Sequence, residues 1–117
     1  MRRGEIYHCD SPLPERGGKG GYYVVVSREF VAVNDEIDTV VCAPIYTSLL
    51  GVRSEVSVGP HEGMKGESAI RCDFVTLLLK EELGRLVGTL SRAKIQELDL
   101  ALIYALGLGQ ALARRSP

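Results

Sequence analysis

Beyond residue 20 the chain passes through five β-branched or alternating segments, and no helical pattern longer than one turn lies between any two of them. Parallel strands need long crossover connections, usually helices. The segments must therefore pair mainly antiparallel, through short turns. The one long helical pattern comes late. After Ser91, a helix N-cap residue type, Ile95, Leu98, Leu102 and Leu106 (with Ala101 and Ala105) recur at three- and four-residue steps. Short strands followed by a single helix predict a mostly-β or α+β domain: a small, curled antiparallel sheet or barrel with a C-terminal helix over one side or an open end.

The pieces can be assigned in order. Gly4 to Asp10 reads as a strand with Ile6, His8 and Asp10 on one face and Glu5, Tyr7 and Cys9 on the other. Ser11 to Gly21 holds two prolines and four glycines and reads as a loop. Tyr22 to Ser27 has the composition of a central strand, Glu29 to Asn34 that of one helical turn, and Asp38 to Ile45 that of a third strand. Tyr46 to Gly51 leaves as a loop, Ser54 to Val58 alternates as a half-exposed strand, and Gly59 to Gly63 turns. Ser68 to Val75 and Arg85 to Leu90 are the last two strands expected. The helix should stop at Gly107 and Gly109, with its apolar stripe in the core and residues 110–117 frayed. One domain over residues 1–117, with a core from about 2 to 108, accounts for the chain.

Composition excludes several classes. The net charge is −1, which rules out a generally basic nucleic-acid binder. Arg2, Arg3, Arg16, Lys19 and Arg28 nonetheless cluster early, leaving room for a local basic groove. No run of about 18 apolar residues is present, and no apolar core follows the charges of Met1 to Glu5, so neither a membrane span nor secretion is expected. Cys9, Cys42 and Cys72 are odd in number and widely spaced, the pattern of buried reduced thiols in a cytoplasmic protein rather than of disulfides or a zinc site.

The chemistry-bearing stretch is Ser68-Ala69-Ile70-Arg71-Cys72-Asp73. In a strand, residues two apart share a face, so Arg71 and Asp73 would stand side by side as a permanent cation and an acid–base group. Such a pair suits phosphodiester chemistry; it equally suits a structural ion pair. His8 and His61 read as surface histidines, His8 sharing a face with Asp10. Val75 to Leu79 is more apolar than a small barrel requires and suits an interface.

The order of these pieces resembles the MazF/PemK toxin family, or mRNA interferases. Arg3-Gly4-Glu5-Ile6-Tyr7 is similar to that family's opening, and Val24-Val25-Val26-Ser27 to its second strand. Val40 to Ser48, with Pro44 and Thr47-Ser48, resembles its third strand end with one extra residue. Ser68 to Asp73 resembles the Arg-Cys-Asp strand of the PemK/Kid branch, and Leu86-Val87-Gly88-Thr89-Leu90 the family's ending. The resemblance implies an SH3-like (CcdB/PemK-type) barrel homodimer that cuts single-stranded RNA without a metal or cofactor. It also implies an antitoxin that covers the RNA groove.

For the site, the resemblance implies Arg71, Asp73 and Thr47 as catalytic residues. Asp73 would act as base or orient one; Thr47 and Ser48, where the third strand becomes loop, read equally as a hold on a phosphate oxygen or as a turn-forming pair, and the extra residue makes Tyr46 a competitor for the family's Thr position. A guanidinium with a pKa above ~12 is a poor proton donor, so Arg71 is assigned to electrostatic stabilisation. Arg16, Lys19, Gly21, Tyr22, Tyr46 and Ser48 are the expected RNA contacts, the tyrosines as stacking faces. One departure stands out: the family carries Arg-Pro before its second strand, and here the matching stretch is Gly20-Gly21-Tyr22. That departure keeps a second reading open: a family member that binds antitoxin or RNA without cutting, or a CcdB-like gyrase poison.

Overall fold

The computed structural model describes residues 1–10 and 20–115. Seven strands, β1 (Glu5–Cys9), β2 (Gly21–Val25), β3 (Thr39–Tyr46), β4 (Glu55–Val58), β5 (Ser68–Arg71), β6 (Thr76–Leu79) and β7 (Leu86–Thr89), form one antiparallel sheet among the described residues. Its order is β4-β5-β3-β2-β1-β7, with β6 also on β3. Helix α1 (Glu29–Val33) follows β2, and α2 (Arg92–Ala105) and α3 (Gly109–Arg115) follow β7. The expected curled antiparallel sheet with a C-terminal helix is the fold observed.

The eight-residue β3 organises the sheet. Its first half, Thr39 to Cys42, pairs with Leu79 to Thr76 of β6. Its end, Ile45 and Tyr46, pairs with Ile70 and Ala69 of β5. Pro44 falls in the gap between the two pairings, where a strand tolerates a residue lacking an N–H. The stretch 68–75, expected to run as one strand, breaks at Arg71. A 3-10 turn over Cys72–Phe74 rounds a corner, and the chain resumes as β6, a strand the β-branched pattern did not separate.

Both faces of the sheet are covered. On one, Ile6, Val24, Ala43, Ile45, Val56 and Ile70 pack against Leu98 and Ala101 of α2. On the other, Cys9, Tyr23, Val25, Val40 and Cys42 pack with Ala32 of α1 and with Leu78 and Leu83. The strand faces predicted for β1 hold: Ile6 enters the first cluster and Cys9 the second. All three cysteines are free and buried. Burial pushes the Cys42 and Cys72 thiols up to about 12, so neither is a thiolate near neutral pH.

Some expectations fail at the C-terminus. Leu98 is fully buried, but Leu106, the C-cap residue of α2, is 55% exposed. Gly107 takes a left-handed φ of +67° and ends α2, yet Gly109 opens α3 instead of a frayed tail. The Ser91 cap is as expected, its hydroxyl accepting from the Lys94 N–H at 3.2 Å. Ser91→Ala should lower stability by about 1 kcal/mol. An unchanged denaturation midpoint would show that packing on Leu98 alone sets the start of α2.

The early basic cluster is largely spent on structure. Arg2 pairs with Glu29 at 3.1 Å, and Arg3 pairs with Asp99 at 2.9 Å while its Nε donates to the Val26 carbonyl. Arg28 lies over the Phe30 ring. Arg2 and Arg3 thus tie the N-terminus to α1, to the end of β2 and to α2. Arg16 and Lys19 lie outside the described residues. No helix among the described residues is long and apolar enough to cross a membrane.

Candidate functional site

The end of β5 and the corner that follows bring the polar groups together. Arg71 is the last residue of β5 and is nine-tenths buried. Its Nη2 donates to the Ser48 carbonyl at 2.7 Å and to Ser48 Oγ at 3.0 Å. Nη1 lies 3.7 Å from a Glu55 carboxylate oxygen, and the guanidinium sits 5.1 Å from the centre of the Tyr46 ring. Tyr46 also meets Phe74 edge-on at 6.2 Å. The carboxylate and the aromatic face offset the cost of taking this cation out of water.

Asp73 does not stand beside Arg71 on a strand face. The two-residue spacing puts side chains on one face only while the backbone stays extended, and here Asp73 lies inside the 3-10 turn. Its exposed carboxylate accepts a short hydrogen bond from the Ser54 hydroxyl. The Cys72 N–H in turn donates to the Ser54 carbonyl at 2.9 Å, fixing the corner. Arg71 and Asp73 still share a small cleft of about 120 Å³, walled by Leu50, Val52, Ser54, Glu55 and Phe74. Cys72, between them, is fully buried with its thiol raised, so it offers no nucleophile.

A second cleft, of about 310 Å³, has Tyr46 in its wall, the same ring that meets Arg71 and Phe74 of the first. It is lined by Tyr22, Tyr46, Thr47, Lys65, Glu67 and Ser68, among others. Thr47 and Ser48 are exposed where β3 becomes loop, as predicted. Gly21 is the buried first residue of β2, paired with Cys9. Tyr22 is half-buried and meets the His8 ring edge-on at 5.0 Å. His8 Nδ1 lies 2.9 Å from Asp10 Oδ1, so the shared face expected for these two is real, and His61 is exposed in its turn. Among the described residues no three His, Cys, Asp or Glu side chains converge as a metal site would require.

The structure therefore sets Arg71 and Asp73 in one cleft and Tyr22, Tyr46 and Thr47 in another, with Ser48 bonded to Arg71 and the Tyr46 ring against Arg71 and Phe74. It adds Ser54 and Glu55, which sequence reasoning missed. Both stand at the start of a strand whose alternating pattern predicts only a half-exposed edge, and the side chains they pair with, Asp73 and Arg71, are 19 and 16 residues away, so no local signal marks those pairings.

A family model described as PemK-like, MazF-like toxin of type II toxin-antitoxin system matches residues 2–106. The chain is 30% identical over 106 residues to proteins named endoribonuclease MazF4 of Mycobacterium tuberculosis and endoribonuclease MazF1 of Mycobacterium bovis. In each case 91% of this chain and 92% of the relative are covered. A solved endoribonuclease from a mycobacterial species superposes with a TM-score of 0.75 at 28% identity, covering 93% of both chains. Another, in complex with its cognate antitoxin, gives 0.76 at 29% identity over 92% of this chain and 96% of that one. A match that runs from the first strand into the last turn of α2 leaves no part of the sheet or its clefts outside it: the chain belongs to the PemK-like, MazF-like toxin family of type II toxin–antitoxin systems.

Proposed function

We propose that the protein is the toxin of a type II toxin–antitoxin pair and acts as a sequence-selective endoribonuclease on single-stranded RNA. The observation that carries this reading is the Arg71 guanidinium, buried yet at the wall of a cleft, set on the Tyr46 ring and bonded to the Ser48 hydroxyl. Family membership and the endoribonuclease names of the relatives support the same reaction. A neighbour solved with its cognate antitoxin supports an antitoxin partner. A homodimer working in the cytoplasm completes the proposal.

The RNA itself supplies the nucleophile. The 2′-oxygen attacks the adjacent phosphorus while its proton passes to Asp73 or to a water that Asp73 orients. The P–O5′ bond breaks, and the 5′-oxygen leaves with a proton from solvent, giving a 2′,3′-cyclic phosphate and a 5′-hydroxyl. Arg71 stabilises the negative charge that builds on the phosphorane, and Thr47 with Ser48 holds a non-bridging oxygen. Tyr46 and Tyr22 stack on flanking bases, and Arg16 and Lys19 from the segment before β2 complete the RNA contacts, while Gly21, expected to touch RNA, is buried in the pairing with Cys9. Donors of the kinds gathered here need no metal for this route.

Purified protein incubated with long single-stranded RNA and excess EDTA should make discrete cuts that leave 5′-hydroxyl ends. A folded, antitoxin-free sample that cuts none of a broad set of RNAs would overturn the ribonuclease reading. The binding-module reading, favoured by Gly20-Gly21-Tyr22 in place of Arg-Pro, would take over, with DNA gyrase the next target tested.

A further inference from the structure

Glu55 opens β4 with a carboxylate that is only 5% exposed. Oε1 accepts from the Gly51 N–H at 2.6 Å and the Leu50 N–H at 3.0 Å, Oε2 lies 3.2 Å from the same Leu50 N–H, and Oε2 also faces Arg71 Nη1 at 3.7 Å. Burying a carboxylate is unfavourable unless donors and a counter-charge surround it. A loop that only joined β3 to β4 would not need one. What the arrangement does accomplish is to fix the loop at both ends. Arg71 holds Ser48 through carbonyl and hydroxyl, and Glu55 holds Leu50 and Gly51. Hydrogen bonds to a charged acceptor are the stronger kind. Gly51, at a left-handed φ of +75°, supplies the reversal that turns both N–H groups inward.

The loop so fixed is not inert surface. Leu49, Leu50 and Val52 are 43%, 65% and 44% exposed, and Leu50 and Val52 wall the cleft that holds Arg71 and Asp73. Apolar side chains distinguish bases by shape and stacking, which requires that their backbone be held in one place. We infer that Glu55 is a positioning residue for RNA selection. By anchoring residues 50 and 51 it decides which bases beside the scissile phosphate fit against Leu50 and Val52. This rests on the ribonuclease reading above and names the part of the site that chooses the sequence. Glu55 touches no reacting atom; it acts through the loop and through Arg71.

The test compares the parent with Glu55→Gln and Glu55→Asp. The glutamine presents an NH2 group toward donors and removes the counter-charge of Arg71. The aspartate keeps the charge but is one methylene too short to reach the loop. In the parent, amide exchange at Leu50 and Gly51 should be slow. In either variant it should speed up by at least about tenfold, KM on the best RNA site should rise about tenfold with kcat within about twofold, and cuts should spread to sites the parent ignores. Glu55→Asp keeps the experiment informative should Glu55→Gln fail to fold. A parent that cuts at discrete sites, beside variants with the same cut sites and the same KM, would overturn the inference and leave the ribonuclease reading standing. A parent that cuts nothing would overturn both.

Discussion

Replacing Arg71 with alanine should lower RNA cleavage by about 10²- to 10³-fold and also cost the protein about 3 kcal/mol of stability. The two losses have separate causes. Cleavage falls because no other described cation lines the cleft shared with Asp73. Stability falls because the Glu55 carboxylate, 5% exposed, loses its counter-charge while it remains buried. Its two backbone donors stay in place, which keeps the cost near the lower end for a broken buried pair. For a chain of this length that is a drop of roughly 10 °C in Tm. From sequence alone, Arg71→Ala would be expected to leave folding intact; the burial of Glu55 reverses that expectation. Arg71→Lys separates the effects. It keeps the charge, so most of the stability should return, but it cannot donate as a fork to Ser48, and cleavage should recover only in part. Wild-type cleavage rates in a well-folded Arg71→Ala protein would remove Arg71 from the mechanism.

Gly88→Val should be the most damaging single change outside the clefts. A Cβ on Gly88 would collide with the carbonyl of Glu62, and one on Gly63 with the carbonyl of Val87. The turn after β4 and the last strand thus meet backbone to backbone. Both colliding partners are main chain, so no side-chain rotamer can relieve the overlap. Parting the two segments would disturb β7 and with it the pairing to β1. A loss of about 3 kcal/mol or more is expected, readable as a fall in the thermal midpoint of at least roughly 10 °C. A midpoint within about 2 °C of the parent would show that the turn moves freely against β7.

The sheet, its antiparallel pairing and the late helix were legible because each rests on local pattern: β-branched runs, Gly-rich turns, and Leu98 and Leu102 at helical spacing. The site was legible only in its residue types. Arg71, Thr47 and Ser48 lie near one another as expected, but the pairing of Arg71 with Asp73 assumed an extended backbone that ends at residue 71. The break was hidden because Cys72, Phe74 and Val75 carry strand-like side chains through the corner. The true partners, Glu55 for Arg71 and Ser54 for Asp73, are set by the pairing of β4 with β5, in which Glu55 stands opposite Arg71. That register is a tertiary outcome, and no spacing within either segment encodes it.

The double covering of the sheet has a consequence for how the chain finds its structure. In a one-sided sheet, sliding a strand by one residue throws its apolar set into water, and solvent itself rejects the error. In β3, Val40 and Cys42 point into one cluster while Ala43 and Ile45 point into the other. A slipped β3 would exchange one oily set for another and expose little, so hydrophobic patterning carries almost no alignment information along this strand. Alignment has to come from features that cannot be interchanged: Pro44 at the gap between β6 and β5, the irregularity between Ile6 and Tyr7, and the clasp of Gly63 against Gly88. Misaligned compact states then lie close in energy to the native one, and these few shape-specific residues supply the gap that separates them.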